Sequence, residues 1–137
     1  MTERLAKICS YLPACKVFAD VGCDHGYCTQ FMLERELCER AYISDVSAPS
    51  LKKAETLLQP YVAAGRCVPV CADGLTGIAE PCDCVLIAGM GGETIAAILS
   101  AAPWVRKRDV PLVLQPMSSM PELRGWLQKN GFSIVEE

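Results

Sequence analysis

The sequence contains a single histidine, His25, and no Cys-x-x-Cys motif. Its nine cysteines are an odd number, scattered from Cys9 to Cys84 and mostly within apolar segments. A structural zinc site uses closely spaced pairs of cysteine or histidine ligands, and a disulfide framework uses paired cysteines in an oxidising compartment. The composition argues against both and predicts free thiols in a reducing compartment, with no bound metal.

Long apolar runs are also missing, which argues against a membrane-spanning helix. The first residues, Met1-Thr2-Glu3-Arg4, lack the charged-then-apolar layout of a signal peptide. With 51% hydrophobic and 21% charged residues, the 137-residue chain has the composition and length of one globular domain with a sizeable core. We therefore expect a single-domain cytoplasmic protein.

Positive charge is not in excess, because the formal net charge is -3. No overall basic field predicts binding to nucleic acid. The one local exception is Arg106-Lys107-Arg108, which we expect on a loop. This triplet has two interpretations that the sequence leaves open, a solvated charge run or a phosphate contact.

An apolar segment that runs into a glycine-containing turn organises the chain. Val17 to Val21 predict a buried strand, and the spacing of Phe31, Leu33 and Leu37 predicts a helix over residues 26–40. Strand-turn-helix units of this kind bind ligands at the carboxyl end of the strand. An ordinary tight turn of a parallel α/β protein is the alternative interpretation.

The turn lacks the Gly-x-Gly-x-x-Gly motif of a dinucleotide site. Its second glycine, which lets a pyrophosphate approach the backbone, is replaced by Asp24, and a carboxylate there would repel phosphate. With Asp20 and Asp24 nearby, the turn instead favours a positively charged ligand without phosphates, such as S-adenosylmethionine. A nicotinamide-dependent oxidoreductase is correspondingly disfavoured.

Two further predicted strands end on carboxylates. Residues 41–46 contain Asp45, and residues 67–72 are followed by Asp73 and Gly74. An acidic residue at the end of the second strand commonly binds ribose hydroxyls. Packing favours apolar residues at strand ends, so three carboxylates at equivalent positions predict a binding site.

The remaining segments complete an alternating α/β pattern. We expect a helix over residues 2–12, a helix capped by Ser47, a fourth strand at 83–88 and a fifth at 111–115, with the proline-containing third strand at the sheet edge. A capping box from Ser119 to Glu122 predicts another helix, and residues 132–135 alternate like a sixth strand.

The turn Gly89-Met90-Gly91-Gly92 has two interpretations. Its glycines allow a ligand to lie close to the backbone, or they form an ordinary tight turn in which Met90 fills the core.

Taken together, the chain resembles the class I S-adenosylmethionine-dependent methyltransferases, and more narrowly the bacterial tRNA (adenine(22)-N1)-methyltransferase family. The resemblance covers nearly the whole sequence. The motifs that carry it are Asp20-Val21-Gly22-Cys23-Asp24-His25-Gly26-Tyr27, Asp73-Gly74-Leu75, Ala88-Gly89-Met90-Gly91-Gly92 and Leu114-Gln115-Pro116. It implies a Rossmann-like α/β fold with a mainly parallel sheet, helices on both faces, and a sheet truncated before its last strand.

The resemblance also implies S-adenosyl-L-methionine as cofactor. Asp20, Gly22 and Gly26 would shape the pocket around its methionine end. Asp45 would hold the ribose, and Asp73 with Gly74 would face the adenine. The expected cofactor-binding set is completed by Cys23, Val46, Ala88, Gly89 and Met90.

The implied reaction is methyl transfer to ring nitrogen 1 of adenine 22 in tRNA. The product base is cationic, so a carboxylate would stabilise it, and Asp24 is the candidate. His25 and Tyr27 would hydrogen-bond to the base or stack on it; a turn-stabilising hydrogen bond and simple packing are their alternatives. The Asn-Pro-Pro-aromatic motif of exocyclic-amine methyltransferases is missing after the fourth strand, which favours a ring nitrogen.

Two departures from the family qualify these expectations. Cys28-Thr29 follow Tyr27 where the family often has Leu-Pro, which changes the wall expected around the target base. The family also continues into a helical C-terminal domain implicated in holding tRNA, whereas this sequence ends at Glu137. We therefore expect residues 1–137 to form the catalytic domain, with tRNA binding that depends on the absent domain.

Three alternatives stay open: a methyltransferase for another RNA site, one for a small molecule, or a non-catalytic module that binds the cofactor. For residues 132–135 we expect a frayed end, a position beside the fifth strand, or pairing with another molecule.

Overall fold

One five-stranded sheet forms the centre of the computed structural model, which describes all 137 residues. Its strands are β1 (Val17–Val21), β2 (Arg40–Asp45), β3 (Cys67–Cys71), β4 (Cys84–Met90) and β5 (Leu112–Pro116). They lie in the order β3-β2-β1-β4-β5, and every pairing is parallel. The chain therefore runs outward from β1 to one edge and crosses back to β4, which makes the junction of β1 and β4 the point where open α/β sheets bind ligands.

Helices cover both faces of this sheet, as predicted. They are α1 (Glu3–Ser10), α2 (Tyr27–Glu34), α3 (Ala48–Leu57), α4 (Gln59–Ala63), α5 (Gly92–Ser100), α6 (Trp104–Lys107) and α7 (Met120–Lys129). Residues of α1, α2 and α3 share one buried cluster, and residues of α5 and α7 share the other. None of the seven helices has the length and apolar character that crossing a membrane requires.

The alternation of side chains along β1 divides the core between the two faces. Phe18 packs in the cluster with α2, whereas Val17, Ala19 and Val21 pack in the cluster with α5 and α7. Asp20 shares the face of Phe18, because successive strand residues point to opposite sides. A carboxylate is thereby placed in the middle of the buried strand, beneath α2.

Two local predictions are confirmed on the side of the sheet where β3 and β2 lie. Pro69 lies in β3, which pairs only with β2, so its missing amide breaks no hydrogen bond in the sheet interior. The side chain of Ser47 caps α3 by accepting a hydrogen bond from the Ser50 amide at 3.3 Å. The Ser47 cap fixes the start of α3 next to the site.

Two helix predictions are corrected. The helix predicted over 26–40 ends at Glu34, because Glu36 adopts a left-handed conformation with φ 55° and the Leu37 amide bonds back to the Met32 carbonyl at 2.8 Å. The capping box at Ser119 does not form either. Ser119 is itself left-handed, with φ 55°, so its hydroxyl faces Glu93 at 3.4 Å instead of the first turn of α7.

The strand predicted at residues 132–135 is wrong. Phe132 stacks on Trp126 at a centroid distance of 6.0 Å, and the Glu137 carboxylate pairs with Arg124 of the same helix at 2.6 Å. These contacts fold the segment back along α7. It is unpaired, in agreement with the frayed alternative.

The basic triplet Arg106-Lys107-Arg108 lies in and just after the short helix α6, and not on a loop. Its side chains are exposed. Arg108 approaches Asp83, which immediately precedes β4, at 3.9 Å. The triplet is therefore at the amino edge of the sheet, opposite the carboxyl ends where the candidate site lies.

Candidate active site

A cavity of about 430 Å³ lies at the carboxyl ends of β1, β2 and β4. Its volume is within the roughly 300–1,000 Å³ typical of small-molecule sites. It brings together most of the residues that the sequence indicated, namely Asp20, Gly22, Cys23, Asp24, His25, Tyr27, Asp45, Ala88, Gly89 and Met90.

Asp20 forms the buried floor of the cavity. Only 3% of the residue is exposed, and the Thr29 hydroxyl of α2 donates a hydrogen bond to its Oδ2 at 2.8 Å. Burial raises the pKa of the Asp20 carboxyl to about 6, with smaller increases from the charges of Asp45 and Asp24 and an opposing effect of Thr29. A cation bound above Asp20 would relieve this unfavourable environment.

The turn after β1 is shaped by backbone contacts that require glycine. The amides of Gly22 and Cys23 both donate to the Ser44 carbonyl of β2, at 2.8 and 3.2 Å. Gly22 has φ 71°, and a Cβ there would lie 2.5 Å from Cε of Met90. The left-handed conformation and the close approach of the Met90 side chain therefore both favour glycine at position 22.

The Asp45 carboxylate ties this turn to α3. Its Oδ1 accepts a hydrogen bond from the Ser47 amide at 2.9 Å, and its Oδ2 accepts one from the Asp24 amide at 3.4 Å. Each oxygen retains acceptor capacity toward the cavity, because a carboxylate offers about four lone-pair positions.

The candidate catalytic residues lie together at the cavity rim. Asp24, in a left-handed conformation with φ 51°, has its Oδ2 at 3.3 Å from Nδ1 of His25. The His25 and Tyr27 rings are 5.8 Å apart and nearly parallel, at 21°. Tyr27 is 40% exposed, which is unusual for a large aromatic side chain. The rim therefore offers aromatic surface beside a carboxylate, an arrangement that suits a flat base.

The opposite wall is built from β4, α1 and Met117, which follows β5, and Gln115 of β5 supports it. The Gln115 side-chain oxygen accepts hydrogen bonds from the Gly89 amide and from Nη1 of Arg4, both at 3.1 Å. Sequence reasoning missed the contributions of Arg4, Leu5 and Met117 to the cavity lining. Gln115 belongs to one of the motifs that carry the family resemblance, but the sequence assigned it no role. Its partner Arg4 is 111 residues away, and no local pattern reveals a contact between residues so far apart.

Four of the predicted cofactor-binding residues do not line this cavity. Gly26 packs against α3, where a Cβ would lie 3.1 Å from Leu58, and Val46 is 70% exposed beside the site. Gly74 lies beneath Ile98 of α5. Asp73 lines a separate cavity of about 290 Å³ between the segment after β3 and α5.

The nine cysteines are free, and seven of them are buried. Burial raises the pKa of the Cys23 thiol above its usual value, and the same holds for Cys28. Both are therefore protonated at neutral pH and contribute packing to the site. No cluster of three or more potential metal ligands is present in the structure.

A parallel sheet with this strand order, and a carboxylate-lined cavity at its switch point, define a Rossmann-like α/β protein with a small-molecule site. The family described as "Methyltransferase domain" matches residues 1–137. The chain therefore belongs to the methyltransferase-domain family.

Its relatives narrow this assignment. The chain is similar to the tRNA (adenine(22)-N(1))-methyltransferase of Bacillus subtilis, with 28% identity over all of this chain and 58% of that protein. The crystal structure of the B. subtilis M1A22 tRNA methyltransferase TrmK superposes with a TM-score of 0.88 and 27% identity, covering 99% of this chain and 58% of that one.

A third relative was solved with a ligand. Streptococcus pneumoniae Sp1610, in complex with S-adenosyl-L-methionine, is 30% identical and has a TM-score of 0.88 over 99% of this chain and 64% of that one. The family resemblance and the fold class predicted from the sequence are confirmed by these likenesses. The chain spans less than two thirds of the length of each of these relatives.

Proposed function

We propose that this chain is the catalytic domain of a methyltransferase that uses S-adenosyl-L-methionine to methylate N1 of adenine 22 in tRNA. The observation that carries the proposal is the convergence of Asp20, Asp24 and Asp45 on one cavity at the switch point of the sheet. The likeness to the B. subtilis enzyme supports the tRNA substrate, and the likeness to the ligand-bound S. pneumoniae protein supports the cofactor.

The residues present fit this cofactor. Its sulfonium and ammonium groups are cationic, and the cavity presents three carboxylates to them. Gly22, which has no side chain, lines this cavity at the strand end. Asp20, Gly22 and Cys23 would bind the methionine end, with Gly26 shaping the turn from behind.

The strand order supports an assignment for the rest of the ligand. From β1 the neighbouring strand is β2, whose Asp45 would bind the ribose hydroxyls with Val46 beside them. The next strand is β3, and Asp73 with Gly74 follows it. An adenine extending in that direction would reach the segment after β3, so we assign this segment to the adenine. Ala88, Gly89 and Met90 would form the β4 side of the methionine pocket.

Bound S-adenosyl-L-methionine supplies an electrophilic methyl group, so that a bond from carbon to the adenine N1 lone pair forms as the bond to sulfur breaks. The protein's task is to align the two groups and exclude water, which is worth as much as about 7–11 kcal/mol. His25 and Tyr27 would hold the base plane at the rim. The Asp24 carboxylate would stabilise the positive charge that develops on the base.

We assign most of the tRNA contacts to the part of the relatives that this chain does not span. The net charge of -3 provides no broad cationic surface, and the basic triplet is at the opposite edge of the sheet. The domain would then supply cofactor binding and chemistry, with affinity for tRNA coming largely from elsewhere.

Two measurements test the proposal. Calorimetric titration should show binding of S-adenosylhomocysteine and none of NAD. Methyl transfer to a tRNA transcript with adenine at position 22, and none to the matched transcript with guanine there, should yield 1-methyladenosine by mass spectrometry.

Each other outcome favours a different function. Cofactor binding without transfer to any tRNA, even by a version extended to the length of its relatives, would support a non-catalytic module. Methylation of both transcripts at another nucleotide would support another RNA site, and transfer only to a small molecule would exclude tRNA as the substrate. Failure to bind S-adenosylhomocysteine would refute the assignment of the cavity.

A further inference from the structure

Met117, the residue directly after β5, lines the main cavity although 61% of it is exposed. Single exposed apolar residues are common on protein surfaces and need no explanation by themselves. Met117 differs because it lies at the mouth of a candidate binding site, where neither the sequence motifs nor the proposed cofactor contacts give it a role.

Two contacts hold Met117 in place. Its backbone amide donates a hydrogen bond to the Met90 carbonyl at 2.9 Å, and its sulfur lies 3.3 Å from Nε2 of Gln115. The same Gln115 side chain accepts a hydrogen bond from the Gly89 amide at 3.1 Å. Methionine is otherwise a flexible side chain. Contacts at both its backbone and its sulfur make Met117 an ordered part of the cavity mouth.

Tyr27 is the other large apolar residue that is exposed and lines this cavity. It follows the turn after β1, whereas Met117 follows β5, and β4 lies between these two strands. Two strand spacings separate β1 from β5, which corresponds to roughly 10 Å. Along the strand order, the two exposed residues therefore flank β4.

Between these residues, Gly89 of β4 leaves an open surface. Gly89 is exposed and lines the cavity, and a Cβ at this position would meet no atom within 4 Å. A planar ring that is contacted on both faces needs about 7–8 Å between the contacting atoms, since each contact takes about 3.5–4.0 Å. The separation of the two strands thus has room for one base and not for a stack of two.

The geometry points to Met117 as the second wall of the site for the target base, on the side opposite Tyr27. This inference rests on the proposed function and deepens it, because it names a further residue that contacts the substrate. A thioether is polarisable and makes favourable contacts with aromatic rings. The adenine would lie over Gly89, with Tyr27 against one face and the Met117 side chain against the other, which holds N1 toward the cofactor.

Single-turnover methyl transfer at saturating tRNA tests this role. Wild type, Met117→Ala and Met117→Leu are compared on the transcript with adenine at position 22, both in the chain and in a version extended to the length of its relatives. Met120→Ala is the matched control. Met120 is also an exposed methionine, with its sulfur 3.3 Å from Nη2 of Arg124, but it does not line the cavity.

We expect Met117→Ala to lower the single-turnover rate by roughly threefold to tenfold, the effect of one lost contact with an aromatic ring. The dissociation constants of S-adenosylhomocysteine and of tRNA should stay within about twofold, since the contact is made only when the base occupies the site. Met117→Leu nearly conserves the volume and should recover most of the rate. Met120→Ala should keep all of it.

A spectroscopic readout separates contact with the base from an effect on structure. Isotope labelling of the methyl groups gives each of the five methionines a resonance, and Met117→Leu identifies the one that belongs to Met117. With S-adenosylhomocysteine present, the adenine-22 transcript should shift this resonance upfield through the ring current of the stacked base. A transcript with an abasic site at position 22 should not. The Met120 resonance should respond equally to both transcripts.

Several outcomes overturn the inference. They are an unchanged rate in Met117→Ala, equal rate losses in Met117→Ala and Met120→Ala, or a Met117 resonance that responds equally to both transcripts. An equal loss of affinity for S-adenosylhomocysteine would assign Met117 to the cofactor pocket instead, and a loss of tRNA affinity alone would assign it to another part of the RNA. If the wild-type protein methylates the adenine-22 transcript, these results refute only the role of Met117; if it does so at neither length, the proposed function fails as well.

Discussion

The Thr29 hydroxyl of α2 donates a hydrogen bond to the Asp20 carboxylate of β1 at 2.8 Å, inside the buried core. This bond joins the strand that carries the site to the helix that follows it. It also holds the carboxylate in place where burial raises its pKa to about 6. Asp20 is therefore a fixed carboxyl group that titrates close to neutral pH, and in the proposed function it pairs with the ammonium group of the cofactor.

The first prediction concerns the pH dependence of cofactor binding. Without ligand, Asp20 is mostly protonated at pH 5 and mostly ionised at pH 7, because its pKa is about 6. Only the ionised form pairs with an ammonium group, so the affinity for S-adenosylhomocysteine should rise about tenfold between these pH values. Calorimetry across this range measures the rise. In Asp20→Asn the affinity should be lower and should vary much less with pH.

A second prediction concerns the stability of the folded chain without ligand, and it depends on the same carboxyl group. The pKa of Asp20 is raised on folding, so its contribution to stability is fully present below pH 4 and is lost as the pH rises through 6. Asp20→Asn stays neutral and can still accept the Thr29 hydrogen bond. Its stability relative to the wild type should increase by on the order of 2 kcal/mol between pH 4 and pH 8.

Urea unfolding of both proteins at several pH values gives this difference directly. A difference that does not change with pH would mean that Asp20 has an ordinary pKa in the folded chain. An increase, together with weaker cofactor binding, would show that the native carboxylate lowers stability while it serves the ligand.

The sequence was sufficient for the strands and for most of the cavity because both depend on local patterns. Buried strands such as β1 are nearly continuous apolar runs, and the carboxyl ends of parallel strands meet at one edge. Asp20 and Asp45 could therefore be placed together from their positions at the ends of predicted strands, and Asp24 from the turn after the first strand. Asp73, placed with them by the same argument, lines a separate cavity. Pro69 could be assigned to an edge strand for a similar reason.

The features that sequence reasoning missed depend on contacts between distant segments or on backbone conformation. Arg4 enters the site only because its side chain reaches from α1 to Gln115 of β5, at 3.1 Å. Ser119 has the residue type of a helix cap, yet its left-handed conformation turns the hydroxyl toward Glu93. Val135 belongs to a segment whose alternating pattern forms a strand only if a neighbouring strand pairs with it, and no strand does.

A third prediction addresses Asp45. Replacing it with alanine should weaken S-adenosylhomocysteine binding by roughly 1–3 kcal/mol, through the loss of a hydrogen bond between a charged acceptor and the ribose. The change also removes the acceptor of the Ser47 and Asp24 amides, so Asp45→Asn is needed as a milder variant. An unchanged dissociation constant in Asp45→Ala would remove this residue from the site.

A fourth prediction separates packing from backbone strain at Gly74. Gly74 and Gly65 both have positive φ, 61° and 75°, but a Cβ at Gly74 would lie 2.9 Å from two carbons of Ile98, whereas Gly65 has nothing within 4 Å. Gly65→Ala should therefore cost only the conformational strain, about 1–2 kcal/mol. Gly74→Ala should lose about 1–3 kcal/mol more, because it overpacks the core beneath α5.

Chemical denaturation of the two variants measures both losses. Equal losses would show that Ile98 can move aside without cost and that only the backbone conformation requires glycine at position 74.

The last prediction concerns Asp24, which differs from Asp20 and Asp45 in being exposed at the rim, 3.3 Å from the His25 ring. A carboxylate there contributes little to holding a cofactor that lies deeper in the cavity. In the proposed function it faces the side from which the base would arrive, and the methylated base carries a positive charge that the free base lacks. Asp24→Asn should therefore lower kcat by about tenfold or more and leave the dissociation constant of S-adenosylhomocysteine within about twofold, since the interaction is made mainly in the transition state.

Single-turnover methyl transfer and calorimetry on the same variant separate the two effects. Equal losses in both would assign Asp24 to cofactor binding alone, and the stabilisation of the cationic base would then have to come from another group.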